Sequence, residues 1–215
     1  MKKILIVENN IELLQSLKRV LVANDYDVET TNDAVLGLSY ALTKNYDLII
    51  INLHLQRITA GEFINNLKRH NIDSLIIAMT SKEILSKKLL NYKVIANDYL
   101  ILPFYTLQLL TKIKMVFDIN DNHNVIDYKE LKLDKFKLVG KEKCVVLTAK
   151  ENKILELLFT HQQVDKKMIL DYIYSEDDLW VYIDSLNDKL KKINNEAKIV
   201  FENNSYKVEI KWLIS

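Results

Sequence analysis

Five short apolar runs in the first half of the chain, Lys3–Val7, Val28–Thr30, Leu48–Leu53, Leu75–Met79 and Asp98–Ile101, constrain its fold more than any other feature. They are rich in Ile, Leu and Val, as strands covered on both faces are. Between them Leu13, Leu14, Leu17, Val20 and Leu21, and then Phe63 and Leu67, recur at helical spacing. Strands alternating with helices require right-handed crossovers and a parallel sheet. The strand order expected is 2-1-3-4-5, with a site at the carboxyl ends of the central strands.

After this half the pattern changes. Residues 118–125, which include Asp118, Asn120, Asp121, Asn122, His123 and Asn124, are polar and aperiodic, and predict a linker between domains 1–117 and 126–215. Leu131, Leu133, Phe136, Leu138 and Val145-Val146-Leu147 suggest a small antiparallel sheet. Thr148-Ala149-Lys150-Glu151 is a capping box ahead of Ile154, Leu155, Leu157 and Leu158. A second short helix is expected from Asp165 to Tyr174. A third carries Leu179, Ile183, Leu186, Leu190 and Ile193 in steps of four and three, one apolar stripe. Ile199–Phe201 and Tyr206–Ile210 around Asn203-Asn204-Ser205 give a hairpin signal. Sheet, three helices and hairpin outline a winged helix-turn-helix.

Composition narrows function by exclusion. The longest apolar runs fall far short of the ~20 residues that span a bilayer, and Glu8 interrupts any signal-peptide core. Cys144 is the only cysteine and the four histidines lie far apart, so neither a disulfide nor a zinc site is expected. No nucleophile–base or metal constellation suggests an enzyme, and no cofactor is implied. These features point to the cytoplasm and away from the membrane. Net charge is +1 from 30 basic and 29 acidic residues, so any nucleic-acid footprint must be local.

The separated motifs of the first half resemble response-regulator receivers of the OmpR/PhoB type. Ile4-Leu5-Ile6-Val7-Glu8-Asn9 is similar to the first strand, which normally ends in two acids. Tyr46-Asp47-Leu48-Ile49-Ile50-Ile51-Asn52-Leu53 resembles the third strand, with Asn52 where the phosphorylated aspartate normally stands. Ala78-Met79-Thr80-Ser81 matches the strand ending in the switch threonine. Ala96-Asn97-Asp98-Tyr99-Leu100-Ile101-Leu102-Pro103-Phe104 resembles the closing motif, normally written with lysine before the proline. The resemblance implies a flavodoxin-like (CheY-like) domain with a degenerate phosphoacceptor site at Glu8, Asn9, Asn52, Thr80, Tyr99 and Leu102. An amide lacks the anionic oxygen a phosphoryl acceptor needs. Mg²⁺ binds through carboxylates and phosphate oxygens, and Leu102 cannot neutralise a phosphoryl group. The family dimerises through its last helix–strand–helix face by charge pairs. Asp98 and Lys112 fall on one such pair, and Lys88 on another whose acidic partner position is Gln108.

Residues 126–215 resemble the OmpR-type effector domain. Leu147-Thr148-Ala149-Lys150-Glu151 is similar to its opening, Val181–Leu186 falls on its recognition helix, and 200–208 on its wing. This implies DNA contacts from Val181, Asp184, Ser185, Asp188, Lys189, Lys191, Lys192 and Lys207. With the stripe inward, 100° steps place Val181, Asp184, Ser185, Asp188, Lys191 and Lys192 outside. The family commonly has basic residues at Ser185, Asn187 and Asp188, and arginine at Glu202. Residues 126–215 hold sixteen basic and sixteen acidic residues, and carboxylates on a DNA face oppose phosphate. The segment Ser175-Glu176-Asp177-Asp178 is about six residues shorter than the family's loop, which often touches RNA polymerase.

The expectation is therefore a phosphorylation-independent transcription regulator that binds DNA as a receiver-mediated homodimer, with RNA polymerase or another protein as a further partner. The alternative is an adaptor on the same fold. Its Asp177, Asp178, Asp184 and Asp188 surface, flanked by Trp180 and Tyr182, would meet a basic protein instead of DNA.

Overall fold

The computed structural model describes residues 1–81, 96–121, 125–173 and 176–210. They divide into two compact units, Met1–Val116 and Phe117–Ser215. In the first, β1 (Lys3–Val7), β2 (Asp27–Thr31), β3 (Leu48–Asn52), β4 (Leu75–Ser81) and β5 (Asp98–Leu102) form a parallel sheet. Its order is β2-β1-β3-β4-β5, the flavodoxin-like arrangement expected from the alternation. Ile4 to Val7 and Leu48 to Ile51 are wholly buried, because β1 and β3 are central strands. Each such side chain contributes ~1.5–3 kcal/mol by leaving water.

The helices among the described residues here are α1 (Ile11–Val22), α2 (Ala34–Thr43), α3 (Ala60–Arg69) and α4 (Thr106–Asp121), the last running past the end of the unit. Each of the first three starts where a side chain caps orphan amides. Asn10 accepts from the Leu13 amide, Asp33 from those of Val35 and Leu36, and Thr59 shares a capping box with Glu62. Gly37 lets α2 lie against β1, since a Cβ there would stand 2.9 Å from Val7 Cγ2. The expected linker is corrected at its start: 118–121 continue α4 as helix. Asp and Asn are weak helix formers but cost only tenths of a kcal/mol each, roughly 0.7 at most. Residues 122–124 lie outside the described set.

In the second unit, β6 (Ile126–Tyr128), β7 (Leu131–Asp134), β8 (Lys137–Val139) and β9 (Cys144–Val146) make an antiparallel sheet in chain order. Then come α5 (Ala149–His161), β10 (Gln163–Asp165), α6 (Lys166–Ile173) and α7 (Glu176–Ile193). β11 (Ala197–Glu202) and β12 (Ser205–Ile210) close the unit as a hairpin. Asn203 and Asn204 both have positive φ, 51° and 61°, which suits the two-residue turn that matches strand twist. The apolar stripe of α7 is realised: Leu179, Ile183, Leu186 and Leu190 are buried. A short β10, not foreseen, pairs with β12 and gives the wing a three-stranded sheet of order β10-β12-β11. The expected loop at 175–178 is also corrected, since Glu176, Asp177 and Asp178 open α7, where acidic residues suit the helix dipole.

Candidate functional site

The carboxyl ends of β1 and β3 bring Glu8, Asn9 and Asn52 together. Glu8 is fully buried and Asn52 nearly so. The Asn52 amide nitrogen donates to Glu8 Oε2 at 2.8 Å and to Asn9 Oδ1 at 3.3 Å. The other Glu8 oxygen accepts from the Asn10 amide at 2.7 Å, and Asn52 Oδ1 accepts from the His54 amide at 2.8 Å. The corner is closed on itself, since both Glu8 oxygens and both ends of the Asn52 amide have partners. One carboxylate and two amides, already engaged, do not fit a hard divalent cation that needs several free anionic oxygens. Among the described residues no group of three or more His, Cys, Asp or Glu could hold a metal.

Thr80 is buried on the neighbouring strand β4, and its hydroxyl lies 3.5 Å from the Ser81 carbonyl. Tyr99 packs partly buried against the unit's core. Leu102 lines a shallow cleft of about 190 Å³ against α1, with Leu13, Leu17, Pro103 and Phe104. The side chain in the lysine position thus contributes apolar contact to α1.

The two residues expected as a dimer pair, Asp98 and Lys112, meet within the chain. Lys112 Nζ lies 2.8 Å from Asp98 Oδ2 within the same chain, and their side chains are 20% and 4% exposed. Asp98 also accepts from the Tyr99 amide at 2.7 Å. Each of the two therefore has a partner within its own unit. Gln108 is exposed and accepts from the Tyr105 amide at 2.9 Å, while Lys88 lies outside the described residues. Among the described residues this region also exposes large apolar side chains: Tyr105 is 80% exposed and Leu107 74%.

On α7, Val181, Asp184, Asp188, Lys191 and Lys192 face solvent, as the helical steps require. Ser185 and Lys189 do not belong with them. Ser185 Oγ donates to Glu151 Oε1 at 2.6 Å, and Lys189 Nζ lies 2.6 Å from Glu151 Oε2. Glu151, only 2% exposed, also accepts from the amide and hydroxyl of Thr148 at 2.7 and 3.0 Å. A buried carboxylate needs such partners, so two expected DNA contacts are turned inward. Lys207 is likewise engaged, 2.8 Å from Glu202 and 3.1 Å from Glu209. Its hydrogen bonds to Glu202 and then Glu209 raise its pKa above the ordinary lysine value. Asn187 turns its amide to the backbone of Ile199, accepting at 2.6 Å and tying α7 to β11.

Tyr182 packs against the core, whereas Trp180 is half exposed and meets Phe201 edge to face at 6.4 Å. The side chains of Asp177 and Asp178 lie outside the described residues. Residues 126–215 contain no arginine, a signal present in the sequence that a count of net charge hides. Bidentate arginine reading of guanine is therefore closed to this domain.

Comparison with known proteins agrees with this architecture. A profile of the response regulator receiver domain matches residues 4–114. The response regulator ArlR of Staphylococcus epidermidis is 30% identical over 209 residues, covering 93% of this chain and 95% of that protein. The structure of a RitR mutant superposes with TM-score 0.71 at 25% identity, covering 98% of this chain and all of that one. A structure described as belonging to a family of streptococcal redox sensors evolved from two-component response regulators covers 98% of this chain, at TM-score 0.53 and 25% identity. No described helix is long and apolar enough to cross a membrane. With its motifs in order on the expected strand ends and a relative matched along nearly its whole length, the chain belongs to the response regulator family.

Proposed function

We propose that this chain is a transcription regulator of the OmpR/PhoB type that works without phosphorylation and binds DNA as a dimer. The observation that carries the first part is the bond from the Asn52 amide to Glu8. It engages one Glu8 oxygen, the Asn10 amide engages the other, and Asn52 itself offers no carboxylate nucleophile. The streptococcal relative described as a redox sensor supports a receiver fold serving inputs other than phosphotransfer. DNA binding is supported by the winged-helix outline and the family's architecture. Lys191 and Lys192 are the exposed cations of α7 and have no ion pair among the described residues. They are the α7 side chains best placed to meet phosphate.

The domain division 1–117, 118–125 and 126–215 remains part of this reading, adjusted by the helical residues 118–121. Dimerisation is assigned to the receiver's last helix–strand–helix face, with Ile101, Tyr105 and Leu107 as its exposed apolar residues. Two measurements test the proposal together. After incubation with acetyl phosphate and Mg²⁺, the intact mass should be unchanged, and an acyl phosphate on Asp47 or Glu8 would overturn the phosphorylation-independent reading. In sedimentation the parent should be a dimer and Leu107→Glu a monomer. A parent that forms no complex with genomic DNA fragments at low salt would end the DNA-binding reading.

A further inference from the structure

The first thirteen residues of α7, 176–188, hold five carboxylates and no basic residue. Glu176, Asp177 and Asp178 are explained by their place in the first turn, where negative charge stabilises a helix. Asp184 and Asp188 are not, because they lie in mid-helix, are exposed, and have no ion pair among the described residues. Successive 100° steps put Trp180, Asp184, Asp188 and Val181 on one side of the helix, within about a third of its circumference. From β11, Phe201 joins them. Its ring meets Trp180 at 6.4 Å and 75°, while Trp180 remains 50%, Val181 53% and Phe201 41% exposed.

Scattered apolar residues on a surface are ordinary. Two large aromatic rings from different elements that touch each other, with a valine beside them, are not scattered. Contiguous apolar patches of that kind mark interaction sites, and Trp in particular carries binding energy at interfaces. The surrounding charge selects the occupant. DNA is disfavoured because Asp184 and Asp188 repel phosphate. Of the neighbouring cations, Lys189 is held by Glu151 and Lys207 by Glu202 and Glu209, which leaves Lys191 and Lys192, about a turn beyond Asp188, as the α7 cations that can offset the two aspartates. An anionic lipid surface is disfavoured for the same reason.

We propose that this half of the recognition face, Trp180, Val181, Asp184, Asp188 and Phe201, is a docking site for a basic, leucine-bearing peptide segment of another protein. Lysine or arginine side chains pair with the two aspartates and lie over the Trp180 ring, where a cation is attracted by the π face. Apolar side chains cover Val181 and Phe201. The site goes beyond the DNA-binding reading and constrains it. A peptide seated here occupies the recognition helix, so partner and DNA compete, with Lys191 and Lys192 left at the far end of the same helix.

The test uses the full chain and a fluorescent 14-residue peptide of alternating lysine and leucine, read by anisotropy. A control peptide of equal charge has serine in place of leucine. The parent should bind the leucine peptide at least ~10-fold more tightly than the control, the ratio expected when an aromatic anchor is filled. Trp180→Ala should lose about as much, and Asp184→Asn with Asp188→Asn should lose ~10-fold and flatten the salt dependence. Because Trp180 also touches the buried Tyr206 at 6.5 Å, Val181→Ser serves as a second variant at a side chain with no packing duty to the core, and should weaken the peptide several-fold at unchanged melting temperature. Unlabelled leucine peptide should displace the chain from any DNA fragment it binds. Equal affinity for both peptides, or full affinity in Val181→Ser and the double aspartate variant, overturns the proposal. DNA binding is measured separately in each variant, so a chain that ignores DNA yet holds the peptide refutes only the DNA reading.

Discussion

Glu8 and Glu151 are both buried carboxylates at the heart of an inherited functional region, yet they are held in opposite ways. Glu8 accepts hydrogen bonds from neutral donors, the Asn10 amide and the Asn52 side chain. Glu151 is matched by a cation, Lys189, together with Ser185 and Thr148. In the receiver unit, an amide stands where a second acid would repel Glu8, so Asn52 relieves like-charge repulsion. In the second unit, Lys189 of α7 is committed to the fold by its pairing with Glu151. One region settles its buried carboxylate with neutral donors, the other with a cation.

The largest effect should come from Glu151→Ala, which strands Lys189 beside a vacated buried site. Removing one partner of a buried pair costs ~3–5 kcal/mol, so the effector unit should melt at much lower temperature. Melting unchanged within a degree would show that Glu151 is no hub. Lys112→Glu is expected to be of similar size in the receiver unit, because it leaves Asp98 buried against a like charge. It would perturb folding whatever it does to dimerisation, which is why Leu107→Glu is the cleaner probe of the interface.

Next comes Asn52→Asp, which trades a donor for a second carboxylate against Glu8. The loss of a hydrogen bond to a charged group alone is ~1.5–3 kcal/mol. The variant should be less stable than the parent at neutral pH and recover with millimolar Mg²⁺, which should leave the parent unmoved. Equal stability of variant and parent without metal would mean that the Asn52–Glu8 bond contributes nothing.

Smaller still is the effect of Asp184→Asn with Asp188→Asn on DNA. Removing two exposed charges should raise affinity for random duplex several-fold and steepen its salt dependence, because a unit charge at 4 Å costs ~1 kcal/mol in water. Unchanged affinity would remove this face from any DNA complex.

The smallest concerns acid. Hydrogen bonds from Lys44 and then Tyr46 hold the Glu29 pKa below its ordinary 4.5. Its contribution is fully present above about pH 4.5 and is lost as pH falls through the lowered value. Glu29→Gln should make receiver melting less sensitive to pH in that acid range, and an unaltered pH profile would count against the contribution.

The sequence foretold features that repeat or that sit next to each other in the chain. Ile4 to Val7 and Leu48 to Ile51 are all apolar because both their faces are covered, and Leu179 to Leu190 keep a stripe because one face is. Helix α2 announced itself poorly: Ala34–Thr43 is apolar on most sides, with Val35 and Leu36 left exposed, so no stripe separates core from solvent. β10 has three residues, too few for periodicity, and exists because β12 offers it an edge. That Asn9, Asn52 and Leu102 stand at the strand ends could be read from the motifs. The inward turn of Ser185 and Lys189 could not, because it depends on a partner 34 and 38 residues away. Helical steps place Ser185 at the margin of the outer face, and a buried carboxylate within reach decides which side of the margin it takes.

Glu151 has one more consequence, in the kinetics of opening. Thr148 begins α5, and Ser185 and Lys189 lie in the second half of α7, so a single side chain bridges segments far apart in sequence. Neither segment can fray without exposing the same carboxylate. Amide hydrogens in the first turn of α5 and around residues 185–189 should therefore exchange with solvent through one shared opening, at one rate, as a single cooperative unit.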